Sequence, residues 1–500
     1  MDKRMRRARV NALSTLLNQL ITTAVGLVIP WIMIDYFGSE TYGATTSISQ
    51  FLAYIALFEG GIGRVARGAL YGPLAARDQE EISRIYLAVK RFFSIVGVAF
   101  VGYTLVLAVF YYDIAHVTAF DRQYVFFLVF VIALSKFAEY MWGISNITLL
   151  NADQRQYVVN AVYILSNLLN VVAIVVLVTW GADILWVKLA SSMVFLLKPL
   201  ILTLYIKSHY TIKKSPTRAV LHNKVTGIAQ HVAYVVQNST DVLILTVCAD
   251  LKYVAVYSVY HLITFSLRSI VTSFTGGMEA VFGDMIAKGE QEELKATYEK
   301  YKLILTILVV SIFGTAAILI VPFVKLYTSG ATDADYVQPI FALLMVVAEA
   351  MNCLSWPCFN LTIAANKLKE SRIGAYGEAA INIAVSLALV FWEPLIGIAI
   401  GTLVSAIFKS AYYMYFSSKH VLRVKNLRIF LSFCATIAVL CAVSLAGVKI
   451  VSFVSLYNYW RWIAAGFVTV AIVGLISLAV SAMFYRRAIC VYVRSRFSKS

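Results

Sequence analysis

Charge is scarce in this chain, and acid is scarcer than base. Only 14% of the 500 residues are charged, with 26 Asp and Glu against 43 Lys and Arg. A soluble domain carries about 25% charged residues. Hydrocarbon takes the place of charge: 60% of the residues are hydrophobic. That is more than a water-facing fold can hide, so lipid must be part of the solvent. Catalytic signatures are missing as well. There is no GxxxxGK[ST] loop to cradle nucleotide phosphates, no nucleophile elbow, and the six histidines have no metal-ligand spacing. The longest segments between apolar runs are about 20 residues, too short to house a catalytic domain. The six cysteines sit in or beside apolar runs and form no CxxC pair, so they read as small buried hydrophobes. These absences exclude ATP hydrolysis by this chain and argue against an enzyme; no cofactor and no metal are expected. The net charge of +17 does not imply nucleic acid, because the cations cluster between apolar runs instead of along one polar face.

A helix needs about 20 apolar residues to cross a bilayer. Runs of that kind give fourteen expected spans, near 11–36, 42–68, 89–112, 123–150, 157–180, 184–206, 225–250, 253–282, 302–326, 337–363, 373–392, 396–417, 428–452 and 459–485. The expected fold class is all-α and polytopic. The basic stretch Lys3, Arg4, Arg6, Arg7 and Arg9 precedes an apolar run too long for a signal peptide, which reads as a permanent first span. With the N-terminus inside, the cytoplasmic segments hold Arg77, Arg84, Lys90 and Arg91, then Lys207, Lys213, Lys214, Arg218 and Lys224, and the pattern persists to the C-terminus. The opposite side keeps only Arg122, Lys188, Lys252, Lys325, Lys449 and Arg461. A single missed span would invert this asymmetry, so an even count with both termini cytoplasmic is expected.

The chain also repeats itself. Asp78-Gln79-Glu80-Glu81-Ile82 recurs 212 residues later as Glu290-Gln291-Glu292-Glu293-Leu294, and Gly60-Gly61 recurs as Gly276-Gly277. Duplicated halves are a common plan for carriers that hold cargo between them. The expected organisation is a six-helix lobe over 1–213, a second over 214–424, related by a parallel repeat, and two further helices with a basic tail over 425–500.

Ionisable groups at membrane depth cost about 2.5–3.5 kcal/mol each on insertion scales and need water, a partner or a ligand. Lys136, Lys198, Arg268 and Lys409 fall near the midplane, each on an even-numbered span. Together with Arg64 they are candidates for binding an anion, and a pyrophosphate suits Arg forks and Lys point charges. Glu349, Asp241 and Glu59 are candidates for binding a coupling proton or sodium ion. Plainer readings stand beside these. Lys136 and Glu139 are spaced i, i+3 and can neutralise each other. Arg64 and Arg67 can snorkel to headgroups. Lys198 precedes a helix-kinking Pro199. Glu349 and Asp241 can pair with one of the cations. Tyr140, Trp142, Tyr234, Tyr260, Trp356 and Tyr376 can stack on sugars or simply pack.

Three stretches resemble the polysaccharide (O-antigen type) flippases: Tyr36-Phe37-Gly38-Ser39-Glu40-Thr41-Tyr42-Gly43; Phe58-Glu59-Gly60-Gly61-Ile62-Gly63-Arg64 with Pro73-Leu74-Ala75-Ala76-Arg77-Asp78; and Ser239-Thr240-Asp241-Val242-Leu243-Ile244 with Val254-Ala255-Val256-Tyr257-Ser258. The resemblance covers most of 10–420. It places the chain with the multidrug/oligosaccharidyl-lipid/polysaccharide exporter superfamily, which includes multidrug exporters and lipid II flippases. It implies a two-lobed helical carrier in the bacterial inner membrane. That carrier would move undecaprenyl-pyrophosphate-linked oligosaccharide by alternating access, coupled to H+ or Na+. It also implies a polysaccharide polymerase and chain-length proteins as partners. Only Glu59, Arg64 and Asp241 lie in matching local motifs, and at Glu59 a turn-forming role competes with one in transport.

Overall fold

The computed structural model describes residues 3–59, 62–213, 228–275, 277–424, 426–451 and 458–484. Gly60, Gly61, Gly276, most of the expected 207–224 boundary and the basic C-terminal tail lie outside these residues. The protein is an all-α polytopic membrane protein. No strand occurs among the described residues. Eleven helical stretches there are long and apolar enough to cross a membrane.

Those eleven stretches reconcile with the fourteen expected spans. The helix α1 (Lys3–Ala53) is two helices joined at Gly38, whose φ of 79° breaks the run between the first two spans. The second span continues through a 3-10 turn (Tyr54–Glu59) into α2 (Ile62–Ala76). Four helices follow the expected third, fifth, sixth and seventh spans: α3 (Gln79–Ile114), α6 (Gln156–Thr179), α7 (Ile184–His209) and α8 (Ile228–Cys248). Between α3 and α6 the fourth span is broken into α4 (Arg122–Ala138), a π-helical turn (Glu139–Gly143) and α5 (Ile144–Ala152). The remaining helices are α9 (Leu251–Thr275), α10 (Met278–Lys288), α11 (Gln291–Tyr327), α12 (Pro339–Ala364), α13 (Arg372–Leu389), α14 (Pro394–Ser417), α15 (Asn426–Val451) and α16 (Tyr459–Phe484). Of the expected spans, α8 and α13 are too polar or too short to count among the eleven.

The repeat is structural. Both charged copies are helix starts: Asp78 accepts from the Glu80 and Glu81 amides at the head of α3, and Glu290 stands at the head of α11. Each copy follows a left-handed residue, Arg77 (φ 58°) or Gly289 (φ 74°), and each buries its fifth residue, Ile82 or Leu294. A short helix precedes each, α2 or α10, and Gly277 at the head of α10 is left-handed (φ 91°).

By internal packing the chain divides into two compact units, Met1–Ala255 and Val256–Ser500. This division falls later than the boundary drawn from the repeat, because α8 packs on α1. Ser47 and Thr246 share a 2.7 Å hydrogen bond, Tyr54 bonds Thr240, and a Cβ on Gly43 would lie 1.9 Å from the Leu251 carbonyl oxygen. The stretch 36–43 is therefore a packing device. Gly38 makes the break and Gly43 the close approach, while Glu40 accepts from the amides of Thr118 and Ala119 and the Thr118 hydroxyl, tying down the next loop. Along α1, Asn160 donates to Ser14 and Thr15 and Asn167 to Thr22, the side-chain bonding that joins helices where lipid supplies no hydrophobic drive.

In the second unit α13 and α14 interlock through small residues at both ends. A Cβ on Gly397 would sit 2.6 Å from Leu389 backbone atoms, and one on Gly401 would sit 2.1 Å from the Ser386 hydroxyl. At the other end Gly374 and Gly377 receive the rings of Tyr412 and Phe408. The last two helices dock on α11. Val473 packs with Val310, Ile318 and Leu319, and the Trp462 indole donates to the Leu319 carbonyl at 3.0 Å. Their far side carries exposed Trp460, Phe467 and Leu475, as lipid contact requires.

Gly401→Val should lower the thermal midpoint of the detergent-solubilised protein, the overpacking costing about 1–3 kcal/mol. Gly102→Ala, where no atom lies within 4 Å of the new Cβ, should leave it unchanged. Fluorescence-detected size-exclusion after heating reads both; equal midpoints would contradict the close α13–α14 packing.

Candidate functional site

The first unit holds a cavity of about 310 Å³ around the broken fourth span. The π turn adds a residue per loop, a distortion often found at functional sites. It leaves Lys136, Glu139, Gly143 and Ile147 along one wall of the cavity. Lys136 Nζ lies 3.0 Å from a Glu139 carboxylate oxygen, both side chains more than a third exposed. The opposite wall is α7, where Lys198 stands before Pro199. Pro199 has no N–H to continue the helix ladder, and its own carbonyl accepts from the Thr203 hydroxyl at 2.7 Å. Lys198 Nζ hangs 4.1 Å from the Phe195 ring centroid and 4.5 Å from that of Tyr163. No carboxylate lies within ion-pairing distance of Lys198 among the described residues. Behind the π turn, the Tyr140 hydroxyl donates to Glu59 at 2.7 Å. The cavity thus offers two cations and one carboxylate between aromatic walls.

A second ionisable centre lies within the second unit, built from four helices. Arg268 on α9 meets Glu349 on α12 at 3.2 Å, and Lys409 on α14 meets Glu378 on α13 at 2.8 Å. These side chains keep only 12%, 6%, 15% and 5% of their accessible surface, which makes both pairs buried. Arg268 also covers the Phe265 ring at 4.7 Å. One turn from Glu378, Asn382 donates to Thr402 at 3.3 Å.

Sequence reading grouped four midplane cations as one set. The structure brings Lys136 and Lys198 to one cavity in the first unit, and Arg268 and Lys409 to two ion pairs in the second. The i, i+3 pairing of Lys136 with Glu139 forms, and Glu349 pairs with a cation. Asp241 is buried on α8, next to the Thr240 that bonds Tyr54. The side chains of Arg64 and Tyr234 lie outside the described set. Tyr260 is a packing residue, buried and donating to the Tyr336 carbonyl at 2.8 Å. Glu378 is the member that sequence reading left out of the site. Its partner lies 31 positions away on the next helix, and no local spacing announces such a pair.

Breaking one member of a buried pair strands a charge, at about 3–5 kcal/mol. Glu378→Ala should therefore destabilise the protein more than Glu378→Ala combined with Lys409→Met. Thermal midpoints of the single and double variants in detergent check this; a double variant less stable than the single would refute the pairing.

No protein-family model and no curated protein sequence matches this chain. Solved structures do share its fold. A lipid II flippase, MurJ, in an inward closed conformation is 13% identical with a TM-score of 0.68, covering 96% of this chain and 99% of its own. An inward-facing MATE-family multidrug resistance transporter of the MOP superfamily is 16% identical with a TM-score of 0.57, over 82% of this chain and 98% of its own. The MATE multidrug transporter DinF-BH, in complex with R6G, is 14% identical with a TM-score of 0.58, over 84% and 97%. At these identities the likeness is one of fold.

Proposed function

We propose that this chain is a membrane carrier, not an enzyme, that flips undecaprenyl-pyrophosphate-linked oligosaccharide from the cytoplasmic to the outer leaflet of a bacterial inner membrane. The observation that carries this reading is the Lys136–Lys198 cavity, with two cations against one carboxylate inside membrane-spanning helices. A cationic drug would be repelled there; a pyrophosphate would be held by lysine point charges, with aromatic faces beside it for sugar. The fold shared with a flippase and with multidrug transporters supports a carrier, and the family-like stretches support a polysaccharide cargo.

The carrier works by alternating access, with both termini cytoplasmic and lobes 1–213 and 214–424 as its repeated halves. Arg64, Lys136, Lys198, Arg268 and Lys409 serve the anion; Glu349, Asp241 and Glu59 serve the coupling H+ or Na+. A polymerase and chain-length proteins would consume the flipped product. A lipid II flippase is the second reading. It is favoured by one observation: the MurJ match runs over 96% of this chain, whereas the two MATE matches stop at 82% and 84%, a shortfall close in length to the α15–α16 segment.

Lys198→Ala removes a cation without stranding an acid. It should cut flipping of lipid-linked oligosaccharide in proteoliposomes by about tenfold or more, at unchanged protein level. Full transport in a Lys198→Ala, Arg268→Ala double variant would overturn the cationic-site reading. Transport of lipid II alone would select the second reading.

A further inference from the structure

The two buried pairs of the second unit differ in quality. Lys409 and Glu378 meet at 2.8 Å, within the 2.7–2.9 Å usual for charge-assisted bonds. Arg268 Nη1 reaches the two Glu349 oxygens at 3.2 and 3.4 Å, a looser hold. The pairs lie within electrostatic reach of each other: Glu378 feels Glu349 and Arg268, and Cys353, one turn beyond Glu349, feels Glu349, Arg268 and Lys409. Four unit charges of alternating sign therefore sum to zero in one buried centre.

This centre holds more polar capacity than it uses. Asn352 shares the helix face of Glu349, is 2% exposed, and among the described residues has no hydrogen-bond partner for either its Nδ2 or its Oδ1. The Asn382 Oδ1 and the Ser386 hydroxyl, on the Glu378 helix, are likewise buried and unpartnered. Each such group is costly to bury while nothing bonds it. A polar guest reaching this centre would recover that energy.

We propose that Arg268 is an oxyanion site held closed by Glu349, and that a phosphate-class anion enters by displacing that carboxylate, which takes up one proton from water as it leaves. The inference rests on the anion-carrier reading and names the ion bound at Glu349. An O–H bond forms on the carboxylate and no bond of the anion breaks. The charges balance: the proton cancels Glu349 as the singly charged anion replaces it, so the loaded centre stays neutral, as a low-dielectric surround demands. Arg268 is the exchangeable cation because its flat fork matches phosphate geometry and its bonds to Glu349 are longer than that of Lys409 to Glu378. Lys409 stays with Glu378. The groups that bear on Glu349 are Arg268 on α9, Glu378 on α13 and Cys353 on its own helix; Lys409 on α14 pairs with Glu378, and His261 on α9 bears on Arg268. On α11, Tyr298 and Tyr301 meet later positions of α12, at Cys358 and Asn360. No salt bridge joins α10 or α15 to α12 among the described residues.

The sign of the pH dependence follows. Protonated Glu349 leaves Arg268 open, so acid favours the anion, and uptake of one proton per anion makes affinity fall by up to about tenfold per pH unit. The test is calorimetric titration of dimethyl phosphate, a phosphate diester that stays singly charged across the pH series, into the full chain in nanodiscs, in buffers of different ionisation heat. Wild type should take up about one proton per anion. Glu349→Gln should bind with no proton uptake, with an affinity flat in pH and tighter than wild type at the alkaline end. Glu349→Gln with Arg268→Gln, which removes both charges together, should lose binding tenfold or more. Absence of dimethyl phosphate binding, binding without proton uptake in wild type, or uptake that persists in Glu349→Gln would each overturn the proposal. The result is separable from the cargo reading. Proton-linked anion binding without oligosaccharide flipping would drop the cargo and keep this site. Flipping without proton uptake would do the reverse.

Discussion

An ionised side chain inside hydrocarbon must find an opposite charge, water or a ligand, because burying it alone costs more than any neighbouring contact returns. Within each unit that constraint shapes the centre. Lys136 leans on Glu139 beside a cavity, Arg268 on Glu349, and Lys409 on Glu378. The irregular backbone follows from the same need. The π turn at Glu139–Gly143 and the proline after Lys198 disturb helices at the cavity, where polar atoms have company and room. Further irregular backbone stands at Gly38, at the 3-10 turn Tyr54–Glu59 and at a π turn over Ser418–Leu422.

The same solvent removes the usual drive for helices to associate, so shape and local hydrogen bonds do that work. Gly397 and Gly401 let α14 touch the backbone of α13; Gly43 lets α1 touch the start of α9; Asn160 and Asn167 bond hydroxyls on α1. Several of the stretches that resemble flippases are of this kind. Gly38 breaks, Glu40 ties a loop and Gly43 packs close. They define how the chain folds more than what it carries.

Much of the fold was legible in the residues alone. Hydrophobic run length and the alternation of basic segments led to fourteen spans, and helices stand at all fourteen positions, because length and polarity are local properties and the bilayer reads them one segment at a time. The recurrence of Asp78–Ile82 as Glu290–Leu294 was visible too, since both stretches start a helix with acids in the first turn and a buried apolar residue at the same offset. The Lys136–Glu139 contact was readable for the same reason: i, i+3 neighbours share a helix face wherever the helix goes.

The site was legible only as a set of residues, not as a set of partners. Sequence by itself determined that Lys136, Lys198, Arg268, Lys409, Glu349 and Asp241 fall well inside long apolar runs, because that position follows from distance along the chain. Only the tertiary structure decided that Glu378 answers Lys409, that Glu349 answers Arg268, and that Lys198 rests on Tyr163 and Phe195. Those pairings depend on the rotation and crossing of separate helices, which packing at glycines such as Gly401 sets and which no spacing along one helix records.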